Sequence, residues 1–143
     1  MSIKWCNNLV TGLDQVDSQH KELIRRTNVF LDRLKIDTPI KELQQSLDDL
    51  TSFVYEHFMV EEKAMSETNY PNFVKHKQDH TNFINIVTNL EQRMLNELPL
   101  SSFKSEVNDK ICAWLNGHIP IKDKEMSKFI KDQQENELEL PHR

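Results

Sequence analysis

The chain has 143 residues, of which 29% are charged, with two glycines, five prolines, two cysteines and a formal net charge of −5. That is one domain with a core needing no staple, built from long helices, and Cys6 and Cys112, which lack metal-type spacing, fit a reducing, cytoplasmic compartment. A negative charge without long runs of one sign speaks against nucleic acid and anionic membranes as partners, and no apolar run resembles a signal peptide or a membrane span.

Residues 1–16 read as an irregular lead-in whose Trp5, Leu9, Val10, Leu13 and Val16 pack as a lid over helix ends, turning at Gly12. Asp17 or Ser18 caps a first helix over about 18–35, with Leu23, Ile24, Thr27, Phe30, Leu31 and Leu34 as its buried stripe. His20 stands one turn before that stripe, on the same side. Asp37-Thr38-Pro39 makes a turn, with Thr38 as cap and Pro39 at the first helical position. The second helix then runs over about 39–67, on the order of 40 Å at the helical rise. Tyr70-Pro71 restarts the chain for a third helix over about 71–96, whose stripe is Phe73, His76, His80, Phe83, Val87, Leu90 and Met94. Pro99 separates a fourth helix over about 102–118, capped by Ser101 or Ser102, in which Phe103, Val107, Ile111 and Trp114 lead to His118. Gly117 and Pro120 end it, because proline lacks an N–H and disfavours the α conformation at Ile119. Residues 121–143 are a short amphipathic piece with Met126, Phe129 and Ile130, then a polar tail with His142 on the surface.

The second helix carries the departure from pattern. Leu43, Leu47, Leu50 and Val54 recur at helical spacing, and the next positions on that face are His57, Glu61 and Met65. A carboxylate buried there without a partner would cost several kcal/mol. A metal ion answers that cost, since an imidazole and a carboxylate one turn apart on one face are both good ligands. Glu62 turns about 100° away and reads as a solvated surface charge.

Four amphipathic helices with short connections make an all-α, antiparallel up-down-up-down four-helix bundle with an irregular N-terminal segment, one domain over 1–143. In that topology the starts of helices one and three lie beside the ends of two and four. His20, His57, Glu61, His76, His80 and His118 therefore meet at one end of the core. Asp123, five residues past His118, would sit about 140° off on a continuous helix. A break at Pro120 swings it back. One core histidine is ordinary; such groups on four independent stripes at one level are not. Five imidazoles and two carboxylates exceed one tetrahedral zinc and suit two ions sharing the carboxylates. The absence of thiolates speaks against iron–sulfur clusters and copper(I).

The set Gln19-His20, His57-Phe58-x-x-Glu61-Glu62-x-x-Met65, His76-x-x-x-His80 and Trp114-Leu115-x-x-His118-Ile119-x-x-x-Asp123 closely resembles the hemerythrins. The lead-in, with Trp5, Gly12 and Asp17, is similar to the single-domain bacteriohemerythrins. The resemblance implies reversible O₂ binding, without enzymatic turnover, at a non-heme centre of two iron ions with an oxo or hydroxo bridge. It places His76, His80 and His118 on one iron, His20 and His57 on the other, and Glu61 and Asp123 between them. It also makes Phe58, Trp114, Leu115 and Ile119 the O₂ pocket. Pro120 falls where the pattern has no proline, which bears on Asp123. An oxidase or a signalling protein is the kind of partner such a carrier serves, and the sequence identifies neither. The alternatives are a di-iron oxidase or peroxidase, or an iron store. Ferritin-like oxidases carry two Glu-x-x-His pairs, whereas this chain has only Glu139-x-x-His142, in the tail.

Overall fold

The computed structural model describes residues 3–96 and 101–139. The stop at Pro99 and the surface placement of His142 fall outside the described residues, as do the side chains of the expected caps Ser101 and Ser102. Helix α1 spans Asp14–Lys35, α2 Ile40–Glu67, α3 Phe73–Asn96, α4 Ser101–Gly117 and α5 Lys124–Glu139. A 3₁₀ turn at Asn7–Leu9 precedes α1, and a π turn at His118–Asp123 joins α4 to α5.

Cross-helix pairs fix the directions. Arg33 meets Ser46, Arg26 Nη1 donates to the Asp49 carbonyl at 3.3 Å, and His20 meets Glu61, so partners on α2 advance as those on α1 recede. Thr51–Glu91 and His80–Glu62 do the same for α2 and α3. Arg93–Glu106 and Asp79–His118 relate α3 to the α4 strand of chain. With α1 also touching α4, the four helices close into the expected antiparallel bundle. No helix among the described residues is long and apolar enough to cross a membrane.

The apolar interior is divided in two. The larger cluster runs from Leu23, Phe30 and Leu34 through Leu47, Leu50, Val54 and Phe58 to Phe83, Ile111, Leu115 and Ile119. The smaller one holds Val16, Met65, Tyr70, Met126 and Ile130. Buried ionisable groups lie at the boundary of the two: His20 falls between Val16 and Leu23, Glu61 between Phe58 and Met65, and Asp123 between Ile119 and Met126. The polar layer is thus sealed above and below by apolar side chains.

Helix ends differ from the sequence reading for identifiable reasons. Helix α1 starts at Asp14 rather than near residue 18, and Asp17 does not cap it. Asp17 reaches back instead, accepting from Thr11 N–H and Oγ1–H at 2.8 Å and from Gly12 N–H at 3.3 Å. That bracket holds the turn at Gly12, whose φ of +93° suits glycine. The start of the lead-in lies along α1, where Ile3 and Asn28 exchange two hydrogen bonds at 2.9 and 2.7 Å, and its 3₁₀ turn packs against the π turn at the end of α4. Thr38 donates to the Arg33 carbonyl at 2.7 Å, finishing α1, and Pro39 precedes α2 instead of beginning it. At the end of α2, Asn69 takes a left-handed φ of 54°, while Tyr70 N–H donates to the Met65 carbonyl at 3.0 Å and Asn69 N–H to that of Ser66 at 3.3 Å. This Schellman arrangement, with its Tyr70–Met65 apolar contact, fixes the floor below the polar layer.

Candidate metal centre

Helix α1 supplies His20, α2 supplies His57 and Glu61, α3 supplies His76 and His80, and the π turn supplies His118 and Asp123. None of the seven is more than 3% exposed. Glu61 is central. Its Oε1 lies 3.2 Å from His76 Nε2, 2.9 Å from His80 Nε2 and 4.0 Å from His118 Nε2, while Oε2 lies 2.7 Å from His57 Nε2 and 3.3 Å from His20 Nε2. Asp123 Oδ1 faces His76 and His118 at 3.1 and 2.9 Å, and Oδ2 faces His20 at 2.9 Å. The atoms form two overlapping groups, each with donors within 4.8 Å of one another. One is His76, His80, His118, Glu61 and Asp123; the other is His20, His57, Glu61 and Asp123.

Asp123 reaches this cluster by a route that the sequence reading did not foresee. The chain does not break at Pro120. It widens into a π turn over His118–Asp123 and continues as α5 for sixteen residues, so the segment after the bundle is a full helix rather than a short piece. In a regular helix Pro120 would forfeit a hydrogen bond and press its ring on the carbonyl four residues back. A π turn admits an extra residue per turn, which relieves that clash and brings positions five apart onto one face. His118 and Asp123 are such a pair.

Without a cation the cluster is electrostatically costly, and its protonation shows how it compensates. Burial alone would raise the Glu61 carboxyl, but the facing His57 and the nearby imidazoles of His118 and His20 hold it well below the usual carboxylate range. Burial and Glu61 push Asp123 the same way, and His118 and His20 outweigh them, so it too stays ionised. Burial would lower His20, yet Asp123 and Glu61 raise it to about 9. His118 is likewise raised well above its ordinary value, by Asp123, Asp79 and Glu61 against burial. Protons therefore stand where cations would.

The donor set fits metal better than protons. His57 Nε2, His118 Nε2 and both Asp123 carboxylate oxygens are buried without a hydrogen bond of acceptable geometry, although each has a partner within 3 Å. Lone pairs that converge on a common centre have this arrangement. Imidazole and carboxylate donors without thiolates suit iron, manganese or zinc.

Three further side chains hold the imidazoles from outside. Gln19 Oε1 accepts from His57 Nδ1 at 2.7 Å, Glu62 Oε2 from His80 Nδ1 at 3.0 Å, and Asp79 from His118 Nδ1. Glu62 is therefore not the solvated charge its position on α2 suggests, since its side chain is only 25% exposed and orients a histidine. Such a partner fixes which ring nitrogen carries the proton and leaves Nε2 free to ligate. The signal for Asp79 was its place beside His80 on α3, where it faces the next helix. Of the apolar residues, Phe58 stacks on His80 at 3.8 Å and 4°, and Trp114 on His118 at 4.2 Å and 15°. Leu115 and Ile119 are buried beside them in the larger cluster.

A family model described as the hemerythrin HHE cation binding domain matches residues 11–130. A bacteriohemerythrin of Clostridium acetobutylicum is 24% identical over 85% of this chain and 95% of its own. One of Methylococcus capsulatus is 28% identical over 80% of this chain and 85% of its own. A crystal structure of wild-type hemerythrin shares the fold with a TM-score of 0.80, at 25% identity over 90% of this chain and 97% of that one. The matched span begins at the turn before α1, ends inside α5 and takes in every residue of the two overlapping groups, and the chain belongs to the hemerythrin family.

Proposed function

We propose that this chain binds O₂ reversibly at a non-heme di-iron centre, without catalysing a reaction. His76, His80 and His118 would hold one iron and His20 and His57 the other, with Glu61 and Asp123 available to both. The observation that carries this reading is the pair of overlapping donor groups sharing both buried carboxylates. The iron pair, when bound, supplies the electrons with which O₂ is held.

The side chains do the remaining work. The two-histidine group has one imidazole fewer than its neighbour, which leaves room for a small ligand there. Gln19, Glu62 and Asp79 keep the rings in the ligating tautomer. Phe58, Trp114, Leu115 and Ile119 form an apolar wall that excludes water and carries no carboxyl or imidazole of its own. With no carboxylic acid or imidazole in that wall, where the indole Nε1–H of Trp114 is a buried polar atom, carriage is favoured over turnover by an oxidase or peroxidase. We place the protein in the cytoplasm, serving an oxidase or a signalling partner.

The test is anaerobic reduction of the iron-loaded protein, followed by repeated cycles of oxygenation and deoxygenation with iron counted and the visible spectrum followed. Two irons per chain and a spectrum that reverses when the O₂ pressure is lowered are expected. One metal ion per chain, or a spectrum that appears once and decays with consumption of an added reductant or substrate, would refute carriage.

A further inference from the structure

The outer partners of the histidines are not equivalent. In the three-histidine group, His80 and His118 each meet a carboxylate, Glu62 and Asp79. In the two-histidine group, His57 meets the neutral amide of Gln19, and His20 Nδ1 is buried with no hydrogen-bond partner among the described residues. So two negative charges stand behind one group and none behind the other. Lys77 Nζ, 3.8 Å from Glu62, and Lys122 near Asp79 offset part of that charge from the solvent side. Neither lysine is paired with the imidazoles themselves.

A carboxylate accepting from Nδ1–H draws that proton toward itself and pushes electron density to Nε2, making the imidazole a stronger donor to a cation; an amide does this far less. Glu61 and Asp123 are common to both groups and cannot discriminate between them. We infer that the outer carboxylates Glu62 and Asp79 rank the two metal pockets, so that the three-histidine pocket fills first and holds its ion harder, while the two-histidine pocket stays the labile one. This rests on the di-metal reading above. Glu62 and Asp79 act through His80 and His118 and are positioning residues that would not themselves touch a metal ion. The ranking has a use: the pocket with room for a small ligand is the one whose ion is held less tightly.

Three imidazoles against two already favour this order, so the experiment must isolate the outer charge. The full-length protein, stripped of metal, is titrated with Co²⁺ by calorimetry and by absorption. Asp79→Asn and Glu62→Gln keep an acceptor oxygen of the same shape and remove only the charge, and thermal melts of each variant check the fold. Two resolved Co²⁺ steps are expected for the native chain. Each amide variant should weaken the tighter step about tenfold and leave the weaker step in place. Gln19→Glu should do the converse, strengthening the weaker step and drawing the two together. If the amide variants bind as the native chain does, or weaken both steps alike, the ranking is wrong while the di-metal reading stands. If the native chain takes fewer than two Co²⁺, the di-metal reading itself fails.

Discussion

Replacing Glu61 by alanine removes the one carboxylate that faces every imidazole of the centre, five in all at 2.7 to 4.0 Å. Asp123 faces three, at 2.9 to 3.1 Å. Both side chains are fully buried, so the difference between the variants reflects the number of partners and not the extent of burial. In the metal-free protein, deleting one member of a buried charged group costs about 3–5 kcal/mol, because the charges left behind cannot return to water. For a chain of this size each kcal/mol moves the melting midpoint by about 2–4 °C, so Glu61→Ala should melt on the order of 10 °C lower. In the metal-loaded protein the same variant loses the ligand shared by both groups, and iron should fall below one per chain, whereas Asp123→Ala keeps more. Metal analysis after anaerobic loading and desalting gives the counts, and melts in chelator give the stability. A larger iron loss from Asp123→Ala, or a Glu61→Ala protein that keeps two irons, would refute this account and make the π turn the anchor of the centre.

Three other outcomes follow from the same geometry. The metal-free protein should lose stability as pH rises: the raised His20 and His118 contribute fully below the ordinary histidine value of 6.5 and lose that contribution as pH passes about 9 for His20, while the lowered Glu61 and Asp123 contribute fully above their ordinary values of 4.5 and 3.8 and so do not change between pH 6 and 9. Melts in chelator at pH 6 and 9 check this, and a higher midpoint at pH 9 would contradict it. Leu115→Ala should cost about 2–5 kcal/mol as a core truncation and, by admitting water beside His118, shorten the life of the oxygenated form severalfold; an unchanged decay of the oxygenated spectrum would remove Leu115 from the pocket wall. Pro120→Ala restores an N–H and lets the segment relax toward a regular helix, which turns Asp123 about 140° from His118, so iron should drop below two per chain while the fold is kept. Full iron in that variant would mean that packing of α5, not the proline, maintains the π turn.

Much of the bundle could be read from the sequence because its stripes are long and regular. Leu43, Leu47, Leu50 and Val54 on α2, and Phe83, Val87, Leu90 and Met94 on α3, are all buried where a three-and-four count puts them. The same count carried His57, Glu61, His76 and His80 into the core, since a polar side chain set into an apolar stripe obeys the periodicity of the stripe. What periodicity does not see is the helix end. Asp17 and Thr38 are residue types that cap the helix after them, and both turn to the segment behind, Asp17 to the Gly12 turn and Thr38 to the Arg33 carbonyl. The competing acceptors and donors lie in the preceding turn, and a one-dimensional pattern ranks neither choice.

Glu62 and Asp79 were hidden for a related reason. Their positions are about 100° off the buried stripes, next to Glu61 and His80 in sequence, and on an isolated helix that is the solvent side. They become partners of the centre only through the neighbouring helix: Glu62 on α2 reaches His80 on α3, and Asp79 on α3 reaches His118 at the π turn. Helices α2 and α3 thus each turn their buried donors inward and, one residue away, a carboxylate sideways to the next histidine, while α1 offers the neutral amide of Gln19 in the same way. The π turn completes the arrangement. It sets His118 where Asp79 can hold one side of the ring while Asp123, five residues on, faces the other. A regular helix has no position that does both. The proline that looked like a stop is therefore consistent with a continuous chain from α4 through the centre into α5, in which the wider turn supplies the last histidine and the second carboxylate together.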